Sequence, residues 1–213
     1  MSTPRALLLD IGGVLLTSAH ERMALLDAPP TFTEVRGVVG PRIDPAWDDV
    51  LAGRGTERAY WAARAAEYGV LAGGGGSVPE LMDALYDDDE PFRPVVIALM
   101  DDAHAAGLVV AALTNDLAAF HGDADLTRHP VLGRFDTVVD GSVTGVLKPD
   151  PRAYANALDV LGLPADEVVF LDDIPGNCTG ARAAGLVTVE VDLRDPGAAV
   201  ARARDLLALR AAA

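Results

Sequence analysis

The chain has 213 residues, 50% of them hydrophobic, 23% charged and 5% aromatic, a composition that builds a globular core and excludes a disordered chain. A formal net charge of −15 with no basic stripe excludes nonspecific nucleic-acid binding and docking on an anionic membrane surface. A single cysteine, Cys178, rules out an intrachain disulfide and points to a reducing compartment.

Ala6 to Leu9 is a continuous apolar run that stops at Asp10 and Gly12-Gly13, the mark of a buried strand ending at a glycine turn. Asp10 also interrupts the apolar N-terminus before it can serve as a signal peptide. No uncharged run reaches the length of a membrane-spanning helix, so a soluble, cytoplasmic protein, monomer or homodimer, is expected. From Thr17 to Pro91 the pattern is helical, over Thr33 to Gly37, Pro45 to Ala52, Thr56 to Tyr68 and Val78 to Tyr86. Gly73 to Gly76 forms a flexible connector, and Asp87 to Glu90 a solvated acidic loop. A helix is predicted over Val95 to Ala106, closed by Gly107. It leads into a second apolar run, Leu108 to Leu113, ending at Thr114-Asn115-Asp116. A fainter strand, Thr137 to Val139, ends at Asp140.

A helix over Arg152 to Leu161, with Asp150 as its cap and Pro151 in its first turn, precedes the strand Val168 to Leu171, which ends at Asp172-Asp173. A helix over Gly176 to Ala184, closed by Gly185, precedes the strand Leu186 to Val191. Strands alternating with helices at this spacing give an α/β fold, a mostly parallel sheet with helices on both faces. The helical stretch is too long for one crossover and reads as an inserted helical cap. The division is residues 1–16 and 92–213 for the core and 17–91 for the cap.

Ligands collect at the carboxyl ends of strands in such sheets, and Asp10, Thr114, Asp172 and Asp173 all stand there. Two adjacent buried acids repel unless a cation sits between them, and oxygen ligands suit a hard ion such as Mg²⁺. Lys148 is the sole lysine among the 17 Lys and Arg residues. Its compact ammonium suits a tight spot where anions converge, which an arginine fork would not fit. Asp10 is then a candidate nucleophile or metal ligand. Thr114 and the backbone N–H of Asn115 are candidates to hold phosphate oxygens, and Lys148 to neutralise both Asp10 and the phosphate.

Four segments, Asp-Ile-Gly-Gly-Val at 10–14, Leu-Thr-Asn at 113–115, Leu-Lys-Pro-Asp at 147–150 and Phe-Leu-Asp-Asp-Ile-Pro-Gly-Asn at 170–177, resemble the ordered motifs of the haloacid dehalogenase-like hydrolase superfamily. The likeness is strongest to its sugar phosphatases and to the phosphatase domain of soluble epoxide hydrolases. That resemblance implies a Rossmann-like core and a Mg²⁺-dependent phosphatase of a small phosphorylated metabolite, acting through an aspartyl-phosphate on Asp10. It implies Asp10, Asp172 and the carbonyl of Gly12 as metal ligands. Asp173 supports the metal directly or through water, Asn177 through water, and Thr114 and Lys148 hold the phosphoryl group.

One position departs from the pattern. Gly12 stands where the family's phosphatases carry a second Asp, which protonates the leaving group and then activates water. Replacements open to this chain are Asp116 and the cap residues Glu34, Asp44, Asp48 and Glu57. Two rival functions follow. One is a metal-free 2-haloacid dehalogenase, against which the Asp172-Asp173 pair speaks. The other is a non-catalytic phosphate- or metal-binding member, for which Gly12 speaks.

His20, His104, His121 and His129 show no metal-ligand spacing and read as surface or packing residues, with His20 and His121 candidates for the entrance to the site. Cys178 reads as a packing residue, and Trp47, Tyr60 and Trp61 as cap core. Arg36, Arg42, Arg54 and Arg58 read as solvated side chains.

Overall fold

The computed structural model describes residues 3–23, 44–87, 91–122 and 128–209. The expected helix over Thr33 to Gly37, together with Glu34, Arg36, Arg42 and residues 88–90 of the acidic loop, lies outside the described residues.

Five parallel strands form one sheet: β1 (Ala6–Leu9), β2 (Val109–Thr114), β3 (Thr137–Asp140), β4 (Val168–Asp172) and β5 (Val187–Glu190), in the order β3-β2-β1-β4-β5. β1 sits at the centre, its Leu9 in register with Ala112 of β2 and Leu171 of β4. All four β1 side chains are buried because the sheet is covered on both faces. Leu7 and Leu9 face α5 (Pro94–Ala105) and α10 (Pro196–Leu206), packing with Leu99, Met100, Val200 and Ala203. Ala6 and Leu8 face the other way, toward Tyr154 and Ala157 of α8 (Pro151–Leu161) and Ala181 of α9 (Pro175–Ala183). Each fully buried Leu or Phe of this kind contributes about 1.5–3 kcal/mol relative to exposure.

Between β1 and β2 lie α1 (Ala19–Met23), α2 (Pro45–Leu51), α3 (Glu57–Ala72) and α4 (Val78–Leu85). Each start in the last three is set by a cap: Asp44 accepts from Ala46 N, Thr56 from Ala59 N, and Ser77 forms a capping box with Glu80. These helices bury a cluster of their own around Trp47, Tyr60, Trp61, Leu81 and Met82. The two chain passages that connect them to the sheet pair with each other. Leu16 bridges Phe92, Thr17 N donates to the Pro91 carbonyl at 2.8 Å, and Arg93 N donates to the Leu15 carbonyl at 2.8 Å. Buried Arg93 ties this join down, its Nε donating to the Gly13 carbonyl at 3.2 Å and its Nη2 to Glu21 at 2.5 Å.

α6 (Leu117–His121) and α7 (Gly141–Thr144) follow β2 and β3. Among the described residues no helix is long and apolar enough to cross a membrane.

Candidate active site

The site lies at the carboxyl edge of β1, β2 and β4. Asp10 directly follows β1, and its Oδ1 accepts from Ile11 N at 2.7 Å. Asp172 ends β4 and is fully buried. Its Oδ1 accepts from Ile174 N at 2.9 Å, and Asn177 Nδ2 donates to both its oxygens, at 3.1 and 3.2 Å. Asn177 is itself placed by Tyr154, whose hydroxyl donates to the Asn177 carbonyl at 2.7 Å. Lys148 Nζ stands between the two acids, 3.0 Å from Asp10 Oδ1 and 2.7 Å from Asp172 Oδ2, with its side chain 1% exposed. Asn115 fixes that lysine: its Nδ2 donates to the Lys148 carbonyl at 3.1 Å and its Oδ1 accepts from Lys148 N at 2.7 Å. The Asn115 side chain is therefore a brace for Lys148, a task that sequence did not assign to it.

Asp173 completes a group of three carboxylates, with Asp10 and Asp172, whose nearest oxygens all lie within 4.8 Å of one another. A left-handed glycine makes room for it. Gly13 has φ +75°, and a Cβ there would stand 2.5 Å from Asp173 Cγ, so the chain approaches the carboxylate as only glycine can. Burial pushes the Asp10 carboxyl up to about 6; Lys148 opposes that rise and Asp172 adds to it. Burial, then the charges of Asp172 and Asp10, lift Asp173 well above the usual carboxylate range. Burial pulls the Lys148 ammonium down, but Asp10 and Asp172 more than offset this, and the net shift is upward. One ammonium among three acids leaves negative charge unbalanced, and an all-oxygen donor set with spare charge fits a hard divalent cation.

A cavity of about 80 Å³ opens onto Asp10, Gly12, Thr114, Asn115 and Asp173. Its far wall comes from the helical block: Trp47, Trp61, Tyr86, His20 and Glu57. His20 meets Trp47 edge-on and Trp61 at a tilt, at 4.3 and 4.8 Å between centroids, and burial lowers its pKa to about 3. His20 Nε2 lies 3.2 Å from the Tyr60 hydroxyl, which donates to Asp44 at 3.0 Å. His121 lines the same cavity, with its pKa lowered by burial to about 4. Both histidines are therefore neutral cavity walls. Trp47 and Trp61 belong at once to the core of the helical block and to the cavity lining.

Of two further residues read from sequence, Arg58 takes another part in the structure, while Cys178 packs as expected. Arg58 is half-exposed, yet it pairs with buried Asp116, donating from Nε at 2.7 Å and with Nη2 at 2.5 Å from the same Oδ1; its partner lies 58 residues away in sequence and could not be read locally. Cys178 packs under β4, its thiol 3.3 Å from the Asp172 carbonyl and raised by burial to about 12. The fifth strand-end acid, Asp140, is spent on structure: it accepts from Ala118 N and Ser142 N, both at 2.8 Å, and so anchors α6 and α7.

The family profile described as haloacid dehalogenase-like hydrolase matches residues 4–185. The chain belongs to this family. CbbY of Cupriavidus necator is 30% identical over 208 residues, covering 87% of this chain and 77% of its own length. Phosphoserine phosphatase of Thermus thermophilus is 33% identical over 121 residues, 53% of this chain and 46% of that enzyme. Acyl-CoA dehydrogenase family member 10 of Mus musculus is 35% identical over 99 residues, 46% of this chain, which spans only 9% of that protein. Among solved structures, the putative hydrolase YfnB of Bacillus subtilis, bound to magnesium, superposes with a TM-score of 0.62 at 16% identity, over 89% of this chain and 87% of that one. The likeness to YfnB is one of fold.

Proposed function

We propose that this hydrolase is a Mg²⁺-dependent phosphatase of a small phosphorylated metabolite, with residues 1–16 and 92–213 as its catalytic core and 17–91 as its cap. The observation that carries this reading is the buried arrangement of Asp10, Lys148, Asp172 and Asp173: the carboxylates of Asp10 and Asp173 line one cavity, and the Lys148 ammonium, held between Asp10 and Asp172, leaves the group of three acids short of cations. The phosphoserine phosphatase among the relatives supports phosphomonoester chemistry.

Asp10, Asp172, Asp173 and the Gly12 carbonyl would hold Mg²⁺. Once bound, the ion neutralises charge on the phosphoryl oxygens and orients them. Asp10 Oδ1 is engaged by Ile11 N and Lys148, while its Oδ2 takes no hydrogen bond among the described residues, so Oδ2 attacks phosphorus. The bond from phosphorus to the leaving oxygen breaks, and an aspartyl-phosphate forms. Water then attacks phosphorus, releasing phosphate and regenerating Asp10. Splitting one displacement into two easier steps is the gain of covalent catalysis. Lys148 offsets charge that gathers on the phosphoryl oxygens, with Thr114 and the Asn115 N–H as further donors.

The cavity is far smaller than the roughly 300–1,000 Å³ of drug-sized pockets, which argues for a compact substrate. No Arg or Lys is found among its described lining residues, and its aromatic wall suits an uncharged leaving group such as a sugar.

The test is hydrolysis of a panel of sugar and aryl phosphates with and without Mg²⁺, in wild type and Asp10→Asn. Turnover that needs Mg²⁺ and falls by about 10⁴-fold or more in the variant supports the reading. Turnover indifferent to both refutes it, and halide release from a 2-haloacid without metal would replace it with dehalogenation. Gly12 favours one second reading, a non-catalytic member that binds phosphate or a fluoroberyllate mimic without turning over any of the panel.

A further inference from the structure

We propose that Glu57, carried in from α3, is the general acid and general base of this site, in place of the carboxylate that Gly12 lacks. The proposal rests on the phosphatase reading above. Gly12 leaves the usual position open: a Cβ added there meets nothing within 4 Å. Glu57 lines the same cavity as Asp10 and Gly12, reaching it from the opposite wall. It is half-buried and, among the described residues, takes one hydrogen bond, from Trp61 Nε1 at 3.3 Å, and no ion pair. Nothing there commits its carboxyl to a structural task.

The alternatives are committed elsewhere. Asp116 Oδ1 is held by the Arg58 guanidinium. Asp44 caps α2, accepts the Tyr60 hydroxyl and lies 3.6 Å from Arg64, away from the cavity lining. Asp48 is exposed on α2 and does not line the cavity. Glu34 lies outside the described residues.

The charges facing Glu57 suit the task. In the metal-free protein, burial, then the carboxylates of Asp10 and Asp116, lift its pKa to about 7, against the smaller opposing pull of Lys148. Asp173 faces it as a fourth acid, and His20 and His121 add no positive charge to the wall. A group poised near neutrality can both give and take a proton at that pH.

The steps balance. As Asp10 Oδ2 bonds to phosphorus and the bond to the leaving oxygen breaks, the Glu57 proton moves to that oxygen and Glu57 becomes a carboxylate. The carboxylate then takes a proton from water as its oxygen attacks phosphorus and the bond to Asp10 breaks. Phosphate leaves with Glu57 protonated again. Because Glu57 belongs to α3, nucleophile and acid–base group lie on opposite sides of the paired chain passages at Leu16 and Phe92.

The experiment compares wild type, Asp10→Asn, Glu57→Gln, Gly12→Asp and the Glu57→Gln/Gly12→Asp double variant in Mg²⁺, on an alkyl phosphate and on nitrophenyl phosphate. Glu57→Gln should lower kcat on the alkyl phosphate by about 10²–10⁴-fold with little change in KM. On nitrophenyl phosphate, whose leaving group needs no proton, it should release a burst of nitrophenolate and accumulate acid-trappable phosphoenzyme. Gly12→Asp should restore at least about 10-fold of the lost rate in the Glu57→Gln background, since the new carboxylate enters open space. Wild-type turnover that Glu57→Gln leaves within about threefold overturns the proposal alone. So does a Glu57→Gln loss that shows no phosphoenzyme and that Gly12→Asp does not rescue, since that is the signature of a structural role. A wild type without Asp10-dependent turnover overturns the phosphatase reading, and this proposal with it.

Discussion

Replacing Lys148 with methionine removes the one cation that the structure places between Asp10 and Asp172, at 3.0 and 2.7 Å, while keeping the length of the stem. The ammonium is 1% exposed and Asp172 is fully buried, so water cannot take its place. Breaking a buried ion pair by deleting one partner costs about 3–5 kcal/mol. A domain of this size shifts its Tm by about 2–4 °C per kcal/mol, so Lys148→Met should melt about 6–20 °C below wild type in EDTA at neutral pH. Saturating Mg²⁺ should raise the Tm of the variant more than that of wild type, because the ion is then the sole counter-charge; binding at a hundredfold over Kd contributes about 2.7 kcal/mol. Thermal unfolding followed by circular dichroism with EDTA and with Mg²⁺ gives all four values. A variant within about 2 °C of wild type in EDTA, or one that gains no more from Mg²⁺ than wild type does, would refute the charge balance inferred for this site.

Two further outcomes are expected. Gly13→Ala forces a side chain into a left-handed backbone position, at about 1–2 kcal/mol, and into the Asp173 carboxylate. It should raise the Mg²⁺ concentration needed for half-maximal activity, and an unchanged midpoint would show that Asp173 does not face the cation. The pH dependence follows from Asp10, whose carboxyl is lifted from 3.8 to about 6. The metal-free fold then binds that proton more tightly than the unfolded chain. Its stability falls as pH rises through this window, by about 1.4 kcal/mol per unit. The Tm of wild type relative to Asp10→Asn, measured in EDTA, should therefore drop across the window and flatten in Mg²⁺; a relative Tm that rises with pH contradicts this.

The sheet was legible because its inner strands are buried on both faces, which turns them into unbroken apolar runs that stop at polar residues. β1 spans Ala6–Leu9 as read, and β2 and β4 run one residue further, through Thr114 and Asp172. The meeting of Asp10 and Asp172 was legible for the same reason, since parallel strands in register bring their ends to one edge, whereas Lys148 arrives on the loop before α8 and only its compact ammonium pointed there. α10 escaped notice despite Asp195 and Pro196 at its start, because its buried face is only Ala199, Val200 and Ala203 and gives little apolar period. The contribution of the helical block was the least legible. Five acids were candidates to reach the site, and only the path of the chain sorts Glu57 from Asp44 and Asp48. That Arg58 closes on Asp116 was hidden likewise, because a surface arginine and a loop aspartate carry no sign of meeting.

The aromatic wall has a practical consequence. The chain contains two tryptophans, and both line the cavity. Indole emission from this protein is therefore a signal from the site itself. A fluorescence titration can follow metal, phosphate mimic or product entering it, with no label and no background from a distant fluorophore of the same kind.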